Sequence, residues 1–324
     1  MKKVLLSLVA MMIATTSFAQ NTVVASLSHE GETSMFYGVG ALQKAVNAAV
    51  SGDIISLSNG TFNATNITKA ITLRGVGIDN DNPTYIDGVF SINVSEEGTN
   101  RFTMEGIRCK SEVKLGGKFS SPYFVKCQFY RINGVANTDA IENVMIVNCK
   151  VTDFFRQGGN TTVSLVNSYI AEPGIYESAH FMATNCIISK YDLRELQNSI
   201  WKNCILWTTN SYNYRLPISS KAYNCLSIPF DLFTNLTDSP NNTSMASLPE
   251  VFTDFNWEGT WSDAWTFTLT DAGKAVKGTD GKEVGLYGGP MPFNLNLSYP
   301  LISKMEVADQ TDENGQLKVE IGVK

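Results

Sequence analysis

The sequence predicts an all-β solenoid, and three observations carry that prediction. A five-residue phrase recurs through the middle of the chain with Asn-Cys at its centre: Val147 to Val151, Thr184 to Ile188, Lys202 to Leu206 and Tyr223 to Ser227. Val125 to Phe129 and Val166 to Ile170 repeat it with one change each, Lys126 for Asn and Ser168 for Cys. Taking the Cys or Ser as a marker, the steps between copies are 22, 19, 18, 18 and 21 residues. A period of about twenty residues is the signature of stacked coils, each too small to bury its apolar face alone. The composition agrees: of 324 residues only 17% are charged, while Asn, Ser, Thr and Gly are abundant. Short strands and turns use such residues more readily than helices do.

The chain begins with Lys2 and Lys3, an apolar run from Val4 to Ala14, and Ser17-Phe18-Ala19 before an expected cut. This reads as a secretory signal peptide over residues 1–19, and places the protein outside the cell, in the periplasm or at the cell surface. No later stretch is apolar for long enough to span a bilayer. Loss of Lys2 and Lys3 takes the net charge from −6 to −8, and without a basic cluster the chain lacks the footprint of a nucleic-acid binder.

In Gly40 to Phe62, Leu42, Ala45, Val46 and Ala49 recur at helical spacing, Ser51-Gly52-Asp53 stops the helix, and Ile54, Ile55 and Leu57 begin a strand. This opening resembles that of secreted bacterial proteins of the pectin-lyase-like family, right-handed parallel β-helices in which a short helix plugs the first coil before a Gly-Asp-x-Ile strand. The run from Leu248 to Gly289, ending Gly285-Leu286-Tyr287-Gly288-Gly289, resembles the closing segment of many such proteins. The resemblance implies a right-handed parallel β-helix with an N-terminal capping helix. The expected division is 20–293 for the β-helix with its end caps and 294–324 for a tail of two strands, Ile302 to Val307 and Leu317 to Val323, forming a β-hairpin.

The early coils read from Ala70 to Gly75, Val89 to Val94 and Phe102 to Ile107, with either Gly106 or Cys109 at the marker position. In the repeats, the positions three before the marker, at it and two after it read as interior. The Asn breaks the two-residue alternation, so it is expected at a bend in the left-handed conformation, which it tolerates best of the non-glycine residues. With coils stacked every ~4.8 Å, the amides are expected to bond from coil to coil, resembling the asparagine ladder of pectate lyases. Cys127, Cys149, Cys186, Cys204 and Cys225 then share one inward column and read as reduced core thiols, since Ser168 interrupts it and leaves three on one side. Trp257, Trp261 and Trp265 are expected over the open C-terminal end.

Function must then lie where the coils vary. Four after the marker stand Arg131, Asp153, Glu172 and Lys190; Phe154 and Tyr191 follow, with Arg156, Asp192, Arg194 and Glu195 close behind. Rings beside carboxylates and cations suit a sugar, which offers CH faces and hydroxyls; the plainer reading is a solvated face of alternating charge. The expectation is a binder of polysaccharide or cell-surface glycan, or an envelope component, without cofactor or identifiable catalysis, its oligomeric state left open. The rival is a carbohydrate-active enzyme, lyase before hydrolase, with Asp153, Glu172, Lys190 and Arg156 as candidates. Resemblance to polysaccharide lyases would then imply Ca²⁺ held by acidic residues. A third reading is a structural or adhesive solenoid that recognises protein. The lyase family's Arg-x-Pro-x-x-Arg run meets only Arg215-Leu216-Pro217, with Ser220 at the second Arg. The hydrolase pattern meets only Asn137-Thr138-Asp139. Neither His29 nor His180 has the neighbours of a nucleophile–base array.

Overall fold

A computed structural model describes residues 23–78, 81–94, 100–117, 121–134, 141, 143–157, 161–175, 179–190, 196–208, 215–255, 261–297, 302–311 and 317–323. The expected leader, residues 1–19, lies outside them. The described strands form a β-solenoid of about 8 turns, most of them paired in parallel. One wall is an eleven-stranded sheet that runs from the N-terminal hairpin to Lys221–Tyr223; the other is a thirteen-stranded sheet. Each coil contributes a short strand to the first wall, bends, and continues into the second.

The bend is where the recurring phrase sits. Lys126, Asn148, Asn167, Asn185, Asn203 and Asn224 all have φ between 44° and 55°, the left-handed region that favours Asn over most side chains. Residues three before the marker, from Phe124 to Ala222, are buried and, Val147 apart, alternate with half-buried or exposed neighbours. Those at the marker and two after it are buried as well. The register resolves the early coils differently from either expectation. Arg108 pairs with Gln128 and Cys109 with Phe129, so Ile107 holds the marker position. Gly106, at φ 68°, takes the bend, and Cys109 lies two further on. Glycine can make the bend without Asn, which is why the phrase is unrecognisable there.

All six cysteines are buried and unpaired. Their column follows a rule: each marker side chain donates to the carbonyl two residues back, as Cys149 Sγ does to Val147 O at 3.3 Å and Ser168 Oγ to Val166 O at 2.8 Å. The same atom accepts the marker N–H of the preceding coil, with Cys149 Sγ 3.4 Å from Cys127 N and Ser168 Oγ 3.0 Å from Cys149 N. Asn242 Oδ1 closes the column by accepting Cys225 N at 2.9 Å. The position therefore asks for a small side chain that both donates and accepts, which Cys and Ser satisfy. Burial pushes the thiols of Cys109, Cys127, Cys186 and Cys225 up from their ordinary range.

The N-terminal end is closed by the helix Ala41–Ala48, whose Ala41, Leu42, Ala45 and Val46 are buried. Ahead of it, the polar lead forms a hairpin of Val24–His29 and Glu32–Tyr37, antiparallel to the first solenoid strand. Its two-residue turn, Glu30-Gly31, has positive φ at both positions, as a tight hairpin turn demands. His29 Nδ1 meets the buried Asp53 at 2.7 Å, and Asp53 also accepts Val50 N at 2.8 Å. The other end is closed by Leu232 and Phe233, which join the central core with Leu236 against it.

The tryptophans are therefore not needed over that end. Trp261 and Trp265 pack beside a second core on the outer flank of the thirteen-stranded sheet, while Trp257 lies outside the described residues. Tyr169, Ile187, Ile205 and Leu226, one after each marker, meet Phe252, Phe255, Phe267 and Leu286 there. From Lys277 the chain runs back along the bend column. Asn224 Nδ2 donates to Lys277 O (3.0 Å), Asn203 Oδ1 accepts Thr279 N (2.9 Å), and Asn167 Nδ2 donates to Leu286 O (2.6 Å) and Gly288 O (3.0 Å). At Asn167, Asn203 and Asn224 the expected coil-to-coil ladder is replaced by this strap, whose backbone their amides meet, while both amide atoms of Asn185 are buried without a partner. A Cβ at Gly285 would stand 2.8 Å from Ile205 Cδ1, and one at Gly289 would stand 2.0 Å from Asn185 Nδ2, so the Gly-rich ending is a fit to the wall. Further along, Lys126 Nζ donates to Asn296 O. The tail strands, Ile302–Thr311 and Leu317–Val323, form a separate antiparallel sheet.

Candidate functional site

The outward side of the thirteen-stranded sheet has two zones. Near the bend it is covered by the C-terminal segment; Asp263 there accepts from Arg108 (3.0 Å), Gln128 (2.9 Å) and Trp261 (2.8 Å). Burial raises the Asp263 carboxyl, but the bonds from Trp261 and Gln128 and the charge of Arg108 outweigh it and hold the group below its ordinary range. Further along each strand the wall turns a corner and becomes exposed, and the candidate residues stand there.

The corner is built by irregular pairing. The ladder shifts between Cys109 and Glu112 and again between Phe129 and Arg131. As a result Arg131 is level with Glu112 on one side and Phe154 on the other, and Asp153 is the extra residue of a bulge. Bulges commonly re-aim side chains in this way. The expected single column four after the marker is thus broken, and its members are brought together sideways instead.

Arg131 is the centre. Its Nε donates to Asp153 Oδ2, and its guanidinium carbon lies 4.9 Å from the Tyr130 ring centre and 5.0 Å from that of Phe154. Arg156 sits 5.4 Å above the same Phe154 ring. The bond to Asp153 raises the Arg131 pKa further, so this group stays a cation and is no proton acceptor. Asn133 Nδ2 donates to Glu112 Oε1 at 2.9 Å. One coil earlier Lys110 Nζ lies 4.3 Å from the Tyr85 ring centre. Guanidinium and ammonium groups over rings are held by the ring quadrupole and stiffen both partners.

Of the sequence candidates, the structure brings together Arg131, Asp153, Phe154 and Arg156. Glu172 adjoins them: it precedes Pro173, which pairs with Phe155, and it is half-buried with φ 39°. Lys190 ends the strand Ile187–Lys190, paired with Thr208. Tyr191, Asp192, Arg194 and Glu195 lie outside the described residues. Glu112, Tyr130 and Asn133 belong to the cluster and were not among the candidates. Placing the marker of that early coil at Ile107 puts Ser111 four after it and Glu112 five after it, the position that Phe154 holds in its own coil.

Chemically, the cluster offers ring faces, fixed cations and amide and carboxylate partners on a rigid, solvent-facing wall. Among the described residues no three His, Cys, Asp or Glu side chains converge as a metal site, and no helix is long and apolar enough to cross a membrane. His29 and His180 lie apart from the corner; His180 Nε2 meets Thr162 Oγ1 at 3.2 Å. Comparison with known proteins adds no relative: no family model, no curated protein and no solved structure matches the chain.

Proposed function

We propose that the protein is an exported, pectin-lyase-like β-helix protein that binds a polysaccharide at the Arg131 corner. One observation carries the reading: Arg131 is held against the rings of Tyr130 and Phe154 and bonded to Asp153, and Arg156 also lies by the Phe154 ring. A sugar ring needs an apolar face to stack on and directional partners for its hydroxyls, held without further ordering cost. Half-exposed rings braced by guanidinium groups supply both, and Lys110 beside the Tyr85 ring adds a cation–ring pair one coil earlier.

Titration against a panel of neutral and acidic polysaccharides tests the reading. The wild type is expected to be retained by at least one, and Phe154→Ala and Arg156→Ala to weaken retention about tenfold while melting as the wild type does. Retention unchanged in both variants would remove the corner from the account. The lyase reading has its own support in the placement of Glu172 beside Asp153, Phe154 and Arg156. Ultraviolet absorbance from unsaturated products, with and without Ca²⁺, in the same incubations distinguishes it from binding alone.

A further inference from the structure

The eleven-stranded sheet has an outward face of a different character. Its register aligns Tyr123, Met145, Ser164, Met182 and Ile200 in one row across five strands. The parallel row two residues on begins Val125, Val147, Val166 and Thr184. Between Glu105 and Lys202 neither row carries an Asp, Glu, Lys or Arg. Met182 and Ile200 stand 44% and 37% exposed, so these rows are apolar and open to water toward Ile200, while Arg101 lies over the Tyr123 ring at the other end.

The C-terminal hairpin is its counterpart. Met305 pairs with Ile321 and Val307 with Val319, while Glu306 pairs with Glu320 between them. Paired residues share a face of a two-stranded sheet and successive pairs alternate, so Met305, Val307, Val319 and Ile321 fall on one face and Glu306 and Glu320 on the other. Facing like charges require water on their side. The apolar side then needs a cover, since an isolated two-stranded hairpin is marginal.

Reach and size agree. Leu297 is seated against Gly77 and the bend glycine Gly106, one coil before Tyr123. The five Cα steps to Ile302 span at most about 18 Å. Five stacked strands measure about 19 Å across, and the seven residues Leu317–Val323 about 23 Å.

We propose that the hairpin of the same chain docks its Met305–Val307–Val319–Ile321 face on the row from Tyr123 to Ile200, a second sheet layer about 10 Å out. This seat leaves the Arg131 corner free, and it stands whatever the corner binds. Hydrogen exchange on the full chain tests it. The wild type should protect hairpin amides independently of protein concentration. Met182→Asp/Ile200→Asp, on exposed positions, and Val319→Asp/Ile321→Asp, on the hairpin, should each speed hairpin exchange about tenfold or more and leave solenoid amides unchanged. Equal hairpin exchange in the wild type and the Met182/Ile200 variant overturns the proposal. Protection that rises with protein concentration also overturns it, by assigning the face to a second copy.

Discussion

Asn203 answers two demands with one side chain. Its backbone must sit at φ 55°, and its Oδ1 must accept Thr279 N from the strap at 2.9 Å. The two can be separated by substitution. Asn203→Gly keeps the backbone accessible and loses only strap bonds, which should cost about 1 kcal/mol. Asn203→Ala adds left-handed strain of roughly 1–2 kcal/mol, so its denaturation midpoint should fall below that of the glycine variant; equal midpoints would mean that the bend is unstrained. The marker column yields a second comparison. Cys149→Ser reproduces the bonds made at Ser168 and should lie within about 1 kcal/mol of wild type, whereas Cys149→Ala leaves Cys127 N without its acceptor at a cost of about 1–3 kcal/mol. Denaturant unfolding of the two variants checks the order. A thiol reagent added to the native protein should find none of the buried cysteines until the coils open.

At the scale of elements, the ends and the strap separate what was legible in the sequence from what was not. The helix Ala41–Ala48, the Asn bends and the inward columns were legible because a repeating apolar pattern encodes burial directly. The strap's contacts were not, because Asn167 and Asn224 bond to its backbone carbonyls, groups that every residue carries. The Arg131 corner was half legible: Arg131, Asp153, Phe154 and Arg156 follow from counting past the marker, but two register shifts hid Glu112, Tyr130 and Asn133. The N-terminal hairpin adds a pH-dependent link. A hydrogen bond to Asp53 and that residue's charge raise the His29 pKa above its ordinary 6.5. The ion pair therefore holds the hairpin fully below that value, and its contribution is lost as pH rises through the raised one. Hydrogen exchange of Val24–His29 should differ between wild type and His29→Gln at about pH 5 and converge by about pH 9. A difference that persists in alkali would assign the contact to shape and not to charge.

At the scale of the whole molecule, two kinds of stability are superposed. Each coil contacts its neighbours only, so the wall behaves as a one-dimensional stack that loses or gains a coil with local consequences. The strap is different: it bonds at Asn224, Asn203 and Asn167 and again at Lys126, and so measures the wall's length. Deleting Ser168 to Asn185 removes one 18-residue period and joins Asn167 to Cys186, which restores the phrase and the inward columns. The shortened wall should still fold, with parallel pairing re-formed across the junction. The strap, unchanged in length, cannot then keep its seats at both ends. Circular dichroism should report a folded β-protein, while amides of residues 277–297 should lose protection near Lys126 or near Asn224. A deletion that left the whole strap protected would show that it adapts to the wall and does not gauge it. Collapse of the β-signal would instead mean that the coils depend on the strap, contrary to a nearest-neighbour stack.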